Sequence, residues 1–426
     1  MKKIFKVCLF AIVQLILFSL PLIAIYSFFK GCRQKVSLKD NLRHIGQHYF
    51  LGFLFSKPNV NSCIMIHAIS LGEADAAINL INSFQPQIRQ KIILTVTTIQ
   101  AYKKLTNQPN DITIVYFPFD SLVHQSLFIN YFNIRKAIII EHDFWPNFLA
   151  TMDLLNREII LLNGHFSDKT INRLNNRYYQ ALLFSPIKKV FVQTAELKTK
   201  MLPVMPNVSI SVTPSYKLPL NTTVLDIKNI NSERKIITLS NFHPEELNTV
   251  SELLAKLVKL VKLDYKIILV PRHIHLFDNL IKKWEEVYQN RFAVITQWNN
   301  ATNITAEITF VKSYGVLSKI YSLSHATIVF GSFDPSLKGH SLFEPILYGS
   351  MVYYGPYFSS QQYMDEFLRR IITNIKHDTD SIEQQIKHLS THDRIDIYNK
   401  FMVNIENEKH ILINHFKEIE QWIKNN

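Results

Sequence analysis

Six short, nearly unbroken apolar runs, at 64–69, 92–97, 112–117, 137–141, 158–163 and 189–194, alternate with amphipathic stretches such as 74–84, 121–132 and 145–156. Few folds accept that alternation. A strand without a polar face must be covered on both sides, and a parallel sheet flanked by helices covers it. The rhythm lapses between about 202 and 234, where Pro203, Pro206, Pro214 and Pro219 fall in a polar stretch. It then resumes with runs at 235–240, 266–271, 292–297, 307–311, 326–330 and 351–355, and the last 45 or so residues read as polar helix. The expectation is an α/β chain of two doubly wound, Rossmann-like domains, 36–212 and 235–426, joined by a linker at 213–234. In such folds ligands collect at the carboxyl ends of the strands.

Residues 1–35 stand apart. Val7 to Phe29 is apolar except for Gln14 and a few small hydroxyls. A helix of that length reaches about 35 Å at ~1.5 Å per residue, enough for a bilayer core of about 30 Å. No A-x-A cleavage site follows, so an uncleaved membrane anchor is expected, a helix lying in the interface being the alternative. Lys2, Lys3 and Lys6 on one side balance Lys30, Arg33 and Lys35 on the other, and charge does not orient it.

A formal charge of +13 asks for an anionic partner. The basic residues are scattered and form no recognisable nucleic-acid module, so nucleic acid is not expected as that partner. Cys8, Cys32 and Cys63 lack the spacing of a zinc site or a disulfide framework, which fits a reducing compartment. His273 and His275 have no neighbours that complete a metal-ligand set. Neither a metal nor a cofactor is expected.

Polar clusters punctuate the strand ends: SLGE at 70–73, EHDFWPN at 141–147, NGHFSDK at 163–169, SNFHPEE at 240–246, VPRH at 270–273 and FGSFDPSLKGHSLFEP at 330–345. Each contains ordinary turn chemistry, yet together they mark one edge of each sheet as a site. Glu73 stands where a buried strand hands over to a helix, a place that suits either a helix cap or a base facing a cleft. In the last cluster Gly331 and Ser332 follow a strand, and Gly339-His340-Ser341 is read as opening a helix that carries Glu344. His340 and Glu344, four apart, would then share a helix face. Helix-start amides suit a phosphate, and the carboxylate suits a ribose hydroxyl; a capped helix with a surface His–Glu pair accounts for the same residues.

In order along the chain these clusters resemble the motifs of bacterial 3-deoxy-D-manno-octulosonic acid (Kdo) transferases, glycosyltransferases of family 30 with the GT-B fold. The family's H-x-x-S-x-G-E is met by His67, Ser70, Gly72 and Glu73, and Thr95, Thr97 and Thr98 give the threonine-rich strand end that follows. YFPFD at 116–120 comes next, and E-x-E-x-W-P-N reads here as Glu141, Asp143, Trp145, Pro146 and Asn147. Of N-x-R-x-S the chain keeps Asn163 and Ser167, with His165 in place of arginine. His243-Pro244-Glu246, Pro271-Arg272-His273, Gly339-His340-Glu344-Pro345 and Gly355-Pro356 match the later motifs. Departures are Lys338 and Ser341 around the G-H pair, and Pro214-Ser215-Tyr216-Lys217, which keeps only the lysine of G-N-x-K.

The resemblance implies inverting, metal-independent transfer of Kdo from CMP-Kdo to the lipid A precursor, lipid IVA, in lipopolysaccharide biosynthesis. It makes Glu73 the catalytic base. It places Arg272, His273, Ser332, Gly339, His340, Ser341, Glu344 and Lys217 on the donor, and Ser70, Gly72, Glu141, Asn147 and Ser167 on the acceptor or the cleft. It implies an inner-membrane protein with its catalytic domains in the cytoplasm. Alternatives are another GT-B transferase, a sugar-nucleotide epimerase, and a non-catalytic membrane-tethered relative.

Overall fold

In a computed structural model, described for residues 21–33, 36–56, 63–107, 111–176, 184–218, 235–298, 304–337, 339–372 and 377–425, the apolar runs form two all-parallel sheets. The chain divides into one unit of 1–220 with 408–426 and another of 221–407. Residues 408–426, expected with the second domain, therefore pack with the first.

The first sheet holds β1 (Cys63–Ala68), β2 (Ile92–Val96), β3 (Thr113–Tyr116), β4 (Ile134–Ile140), β5 (Glu158–Gly164), β6 (Ile187–Val192) and β7 (Ser209–Val212), in the order β3-β2-β1-β4-β5-β6-β7. The unpredicted β7 is an edge strand. Its sequence, SISV, alternates in burial, and Val212 is exposed, so no continuous apolar run marks it. The second sheet holds β8 (Ile236–Phe242), β9 (Lys266–Pro271), β10 (Phe292–Ile295), β11 (Ile308–Val311), β12 (Ala326–Val329) and β13 (Met351–Tyr354), in the order β10-β11-β9-β8-β12-β13.

Each sheet reverses its winding once. In the first the chain moves outward from β1 to β3 and then returns to lay β4 on the other side of β1. In the second, β12 lies beside β8 in the same way. The loops leaving two such neighbours run in opposite directions and leave a crevice at their carboxyl ends. Glu73 follows β1 and Glu141 follows β4; His243 follows β8, and Gly331 follows β12. Both groups of predicted residues thus sit at a switch point.

The helix after β1, Leu71–Ser83, is held close to the sheet by Ala74, Ala76 and Ala77, each fully buried. Short side chains there fix the height of Glu73 above the strand ends; a larger residue would lift the helix. Residues 21–33 are helical, with Leu22, Ile25, Tyr26 and Phe29 exposed. Among the described residues no helix is long and apolar enough to cross a membrane. Most of the expected anchor, and linker positions 219–234, lie outside the described residues.

Candidate active site

The SLGE stretch folds as a helix cap close to a capping box, the reciprocal bond being made by Ile69 N–H in place of the N-cap's own. Ser70 caps helix Leu71–Ser83 and its hydroxyl donates to Glu73 Oε1 at 2.9 Å, while Ile69 N–H donates to Glu73 Oε2 at 2.7 Å. Glu73 is nevertheless not an ordinary surface cap, being only 6% exposed. Burial and the charge of Glu141 raise its carboxyl above the usual value, against the lowering pull of Ile69 N–H, Ser70 and Lys217. A carboxylate has about four lone-pair directions, so two hydrogen bonds leave it able to accept a proton.

Glu141 is also buried, in the left-handed backbone region (φ 70°), with Lys217 Nζ 2.5 Å from its Oε1. A residue with a Cβ held at positive φ is uncommon, and such positions gather at functional sites. Asn163, at the end of β5 with φ 57°, braces this region. Its Oδ1 accepts from Tyr216 N–H and Gln193 Nε2, both at 3.0 Å, and so fixes the segment that presents Lys217. Lys217, expected on the donor, stands in the first unit beside Gly72 and Glu141. A Cβ at Gly72 would make only ordinary contact with it, at 3.6–3.7 Å.

The third carboxylate is Asp143. Burial, then the charges of Glu73 and Glu141, push it up to about 8, which keeps it protonated at neutral pH. Beneath it lies His67, fully buried and pushed down to about 3 by that burial. The Thr95 hydroxyl donates to Ile66 O at 3.3 Å, so its oxygen accepts from His67 Nδ1 at 2.8 Å. Nε2 then keeps its lone pair and accepts Trp145 Nε1–H at 3.1 Å. His67 is a neutral post that orients Trp145.

Two predicted acceptor residues have structural work instead. Asn147 Nδ2 donates to Asp120 O at 2.8 Å, and Asp120 accepts the N–H groups of Asn147 (3.1 Å) and Phe148 (2.9 Å) at the start of helix Pro146–Leu154. Ser167 caps helix Asp168–Leu174 through Thr170 N–H.

In the second unit the organising residue is one that the site prediction left out. Glu246, 1% exposed, accepts N–H groups from His243 (3.1 Å), Gly331 (2.8 Å) and Phe333 (3.0 Å), and so holds the loop after β12 against the loop after β8. Gly331 (φ 81°) and Gly339 (φ 86°) close that loop by a 2.7 Å bond from Gly339 N–H to Gly331 O. A Cβ at Gly331 would lie 2.5 Å from the His340 ring, so the glycine is required by both backbone and packing. His340 Nε2 is 2.9 Å from His243 Nε2, with the rings stacked 5.2 Å apart. Burial pushes His340 down to about 4, and the nearby Arg272, His243 and His273 press the same way. Arg272 and His273 are exposed at the end of β9.

The expected His340–Glu344 helix face is not formed. The helix is confined to Phe343–Leu347, because closure of the 331–339 loop and packing of the His340 ring on Gly331 keep 339–341 out of helical conformation. Glu344 is exposed in the first turn of that helix, and Ser341 is half-buried before it. Ser332 is not available to a donor either: its buried hydroxyl donates to Val329 O and accepts Gly355 N–H, both at 2.8 Å. It clasps the Gly355-Pro356 turn. Among the described residues no group of three or more His, Cys, Asp or Glu side chains is placed to hold a metal ion.

Residues 44–219, the span that carries Glu73, Glu141, Asp143 and Lys217, match the family described as 3-deoxy-D-manno-octulosonic-acid transferase (kdotransferase). A 3-deoxy-D-manno-octulosonic acid transferase of Rickettsia bellii is 23% identical over 75% of this chain and 76% of its own length. The first unit is thus similar to Kdo transferases, at modest identity. A bifunctional glycosyltransferase/methyltransferase of Fusobacterium nucleatum is 26% identical over 87% of this chain; the match spans 56% of that longer protein. Among solved structures, a glycosyltransferase from Rickettsia africae superposes with a TM-score of 0.58 at 14% identity, covering 86% of this chain and 100% of that one. That likeness shows the fold, a GT-B-like pair of Rossmann-like domains. The relatives matched in sequence are described as glycosyltransferases or Kdo transferases.

Proposed function

We propose that this protein transfers Kdo from CMP-Kdo to a sugar hydroxyl of lipid IVA. The observation that carries the reading is the first-unit carboxylate group: Glu73 buried and raised, Glu141 tied to Lys217, and Asp143 protonated, all at the β1/β4 switch point. In the reaction the acceptor oxygen attacks the anomeric carbon of Kdo, the bond from that carbon to the CMP phosphate breaks, and the acceptor proton passes to Glu73. A base whose pKa is raised toward neutrality accepts that proton more readily than an ordinary carboxylate, and such assistance is worth about 10²–10⁴-fold. Protonated Asp143 spares Glu73 another negative neighbour, and Lys217 neutralises Glu141.

The leaving phosphate and the Kdo carboxylate need fixed cationic donors. Arg272, with its rigid fork, supplies the charge in the second unit, and the neutral His243–His340 pair near it, beside the loop that Glu246 holds, adds uncharged hydrogen-bonding groups. Glu344, exposed nearby in sequence, is assigned to the ribose. Attack by the acceptor on the face opposite the leaving phosphate makes the proposed transfer inverting, and the proposed transfer is metal-independent. The exposed apolar row Leu22, Ile25, Tyr26 and Phe29 supports attachment at a membrane, where a lipid acceptor resides. The nucleotide donor places the catalytic units on the cytoplasmic side of the inner membrane.

The test is CMP release from CMP-Kdo by the detergent-extracted protein. Release that requires lipid IVA supports the reading. Release independent of any lipid, or none with lipid IVA present, contradicts it.

A further inference from the structure

At the foot of the first sheet, opposite the carboxylate edge, the strand entries create a second charged site. Lys136 on β4 lies in register with Glu158 on β5, an ordinary cross-strand pair of opposite charge. One residue earlier stand Arg135, on β4, and Arg157, immediately before β5. Neighbouring strands are about 4.8 Å apart, and like charges set directly opposite destabilise a sheet. The repulsion is felt: burial and then the charge of Arg135 lower the pKa of Arg157. Arg157 Nε is shielded from solvent and lacks a hydrogen-bond partner among the described residues.

These two arginines open onto a pocket of about 700 Å³ whose wall also includes Lys91, Lys136, Lys424 and one acid, Glu158. Two of the cations are already engaged. Lys136 Nζ donates to Trp422 O at 2.5 Å, and Lys424 Nζ lies 2.7 Å from Glu420 Oε1. Glu158 is matched in register to Lys136. Arg135, Arg157 and Lys91 are left with no ion pair between described residues to balance them.

We propose that this pocket binds a phosphate-bearing anion, with the Arg135 and Arg157 guanidinium groups bridging its oxygens and Lys91 adding charge. Planar guanidinium forks fit phosphate oxygens in pairs, and a bound dianion turns a repulsive pair into a bridged one. The pocket lies at the amino ends of the strands, remote from Glu73 in the same unit, and the inference stands whether or not the protein transfers Kdo.

The test uses the full-length protein in detergent with inorganic pyrophosphate as probe, read by calorimetric titration and by thermal shift. The expected result is saturable binding that Arg135→Gln and Arg157→Gln each weaken about tenfold or more, the scale of losing one charge-assisted contact. Lys188→Gln, at an exposed position outside the pocket with the same charge change, leaves it unaltered. Without ligand, Arg135→Gln melts at or above the wild-type temperature, because a like-charge neighbour is gone. Phosphatidylglycerol vesicles that displace pyrophosphate assign the anion to a lipid headgroup, and vesicles without effect assign it to a soluble phosphate. Absence of binding, or binding by both arginine variants equal to that of the wild type, overturns the proposal.

Discussion

Replacing Glu73 separates its two roles, because the structure gives them different chemistry. In Glu73→Gln the side-chain carbonyl still accepts Ile69 N–H, and the new amide donates to Ser70 Oγ, whose proton turns away; both capping contacts survive in kind. The lost charge at the helix start costs about 0.3–1 kcal/mol. Relief from burial and from the Glu141 charge offsets it. Net stability then changes by less than about 1 kcal/mol, or roughly 2–4 °C in Tm for a domain of this size. The base is gone completely, so kcat falls about 10²–10⁴-fold, equivalent to roughly 3–5 kcal/mol of barrier. Glu73→Ala loses the base and the cap together. It leaves the Ile69 N–H without its acceptor, at a cost of about 1–3 kcal/mol. The two variants therefore share a low rate but differ in stability. Rates are measured from CMP release with lipid IVA, and stability from thermal unfolding of the same preparations. A Gln variant within tenfold of wild type, with only the Ala variant impaired, would show that Glu73 merely caps its helix.

Asp143 has a folded pKa of about 8 against an ordinary value of 3.8, so between those limits the folded state holds a proton that the unfolded state has lost. Stability should fall as pH rises from about 4 to 8; the advantage of Asp143→Asn over wild type should widen across that window in denaturant titrations, and a constant difference would refute the assignment. Lys217→Met removes the cation beside Glu141 and the influence that lowers Glu73, so the acid limb of the kcat/KM profile should move to higher pH. Glu246→Ala strips the acceptor from three N–H groups of the second unit. At about 1–3 kcal/mol for each buried donor left unpaired, thermal unfolding should show a loss of several degrees, and CMP binding should weaken with it.

Most of the fold is visible in the sequence because the central strands are buried on both faces and read as continuous apolar runs. The same reasoning fails at β7, where an edge strand needs only alternate burial and Ser209 and Ser211 break the run. Site residues divide along another line. Polar residues at strand ends can be located from sequence, but whether their polar atoms face a ligand or the protein's own backbone depends on neighbours far along the chain. Ser332 spends its hydroxyl on Val329 and on Gly355, twenty-three residues away, and Asn147 is turned toward Asp120, twenty-seven residues away. His340 leaves the expected helix because its ring packs on Gly331, a contact that no spacing rule encodes. Glu246 was visible within a motif, yet its role as the acceptor for two loops appears only once β8 and β12 lie side by side. The elevated pKa of Asp143 likewise needs burial and two carboxylate neighbours brought in from different strand ends.

The central claim, that this chain moves Kdo onto a lipid through a buried carboxylate at the β1/β4 crevice, is tested most directly by mass spectrometry of lipid IVA. The lipid is incubated with the wild-type protein and a CMP-Kdo generating system, and in parallel with Glu73→Gln. The account predicts a product heavier by one or more whole Kdo residues with the wild type and almost none with the variant. Unmodified lipid from the wild type, or equal product from both proteins, would contradict it.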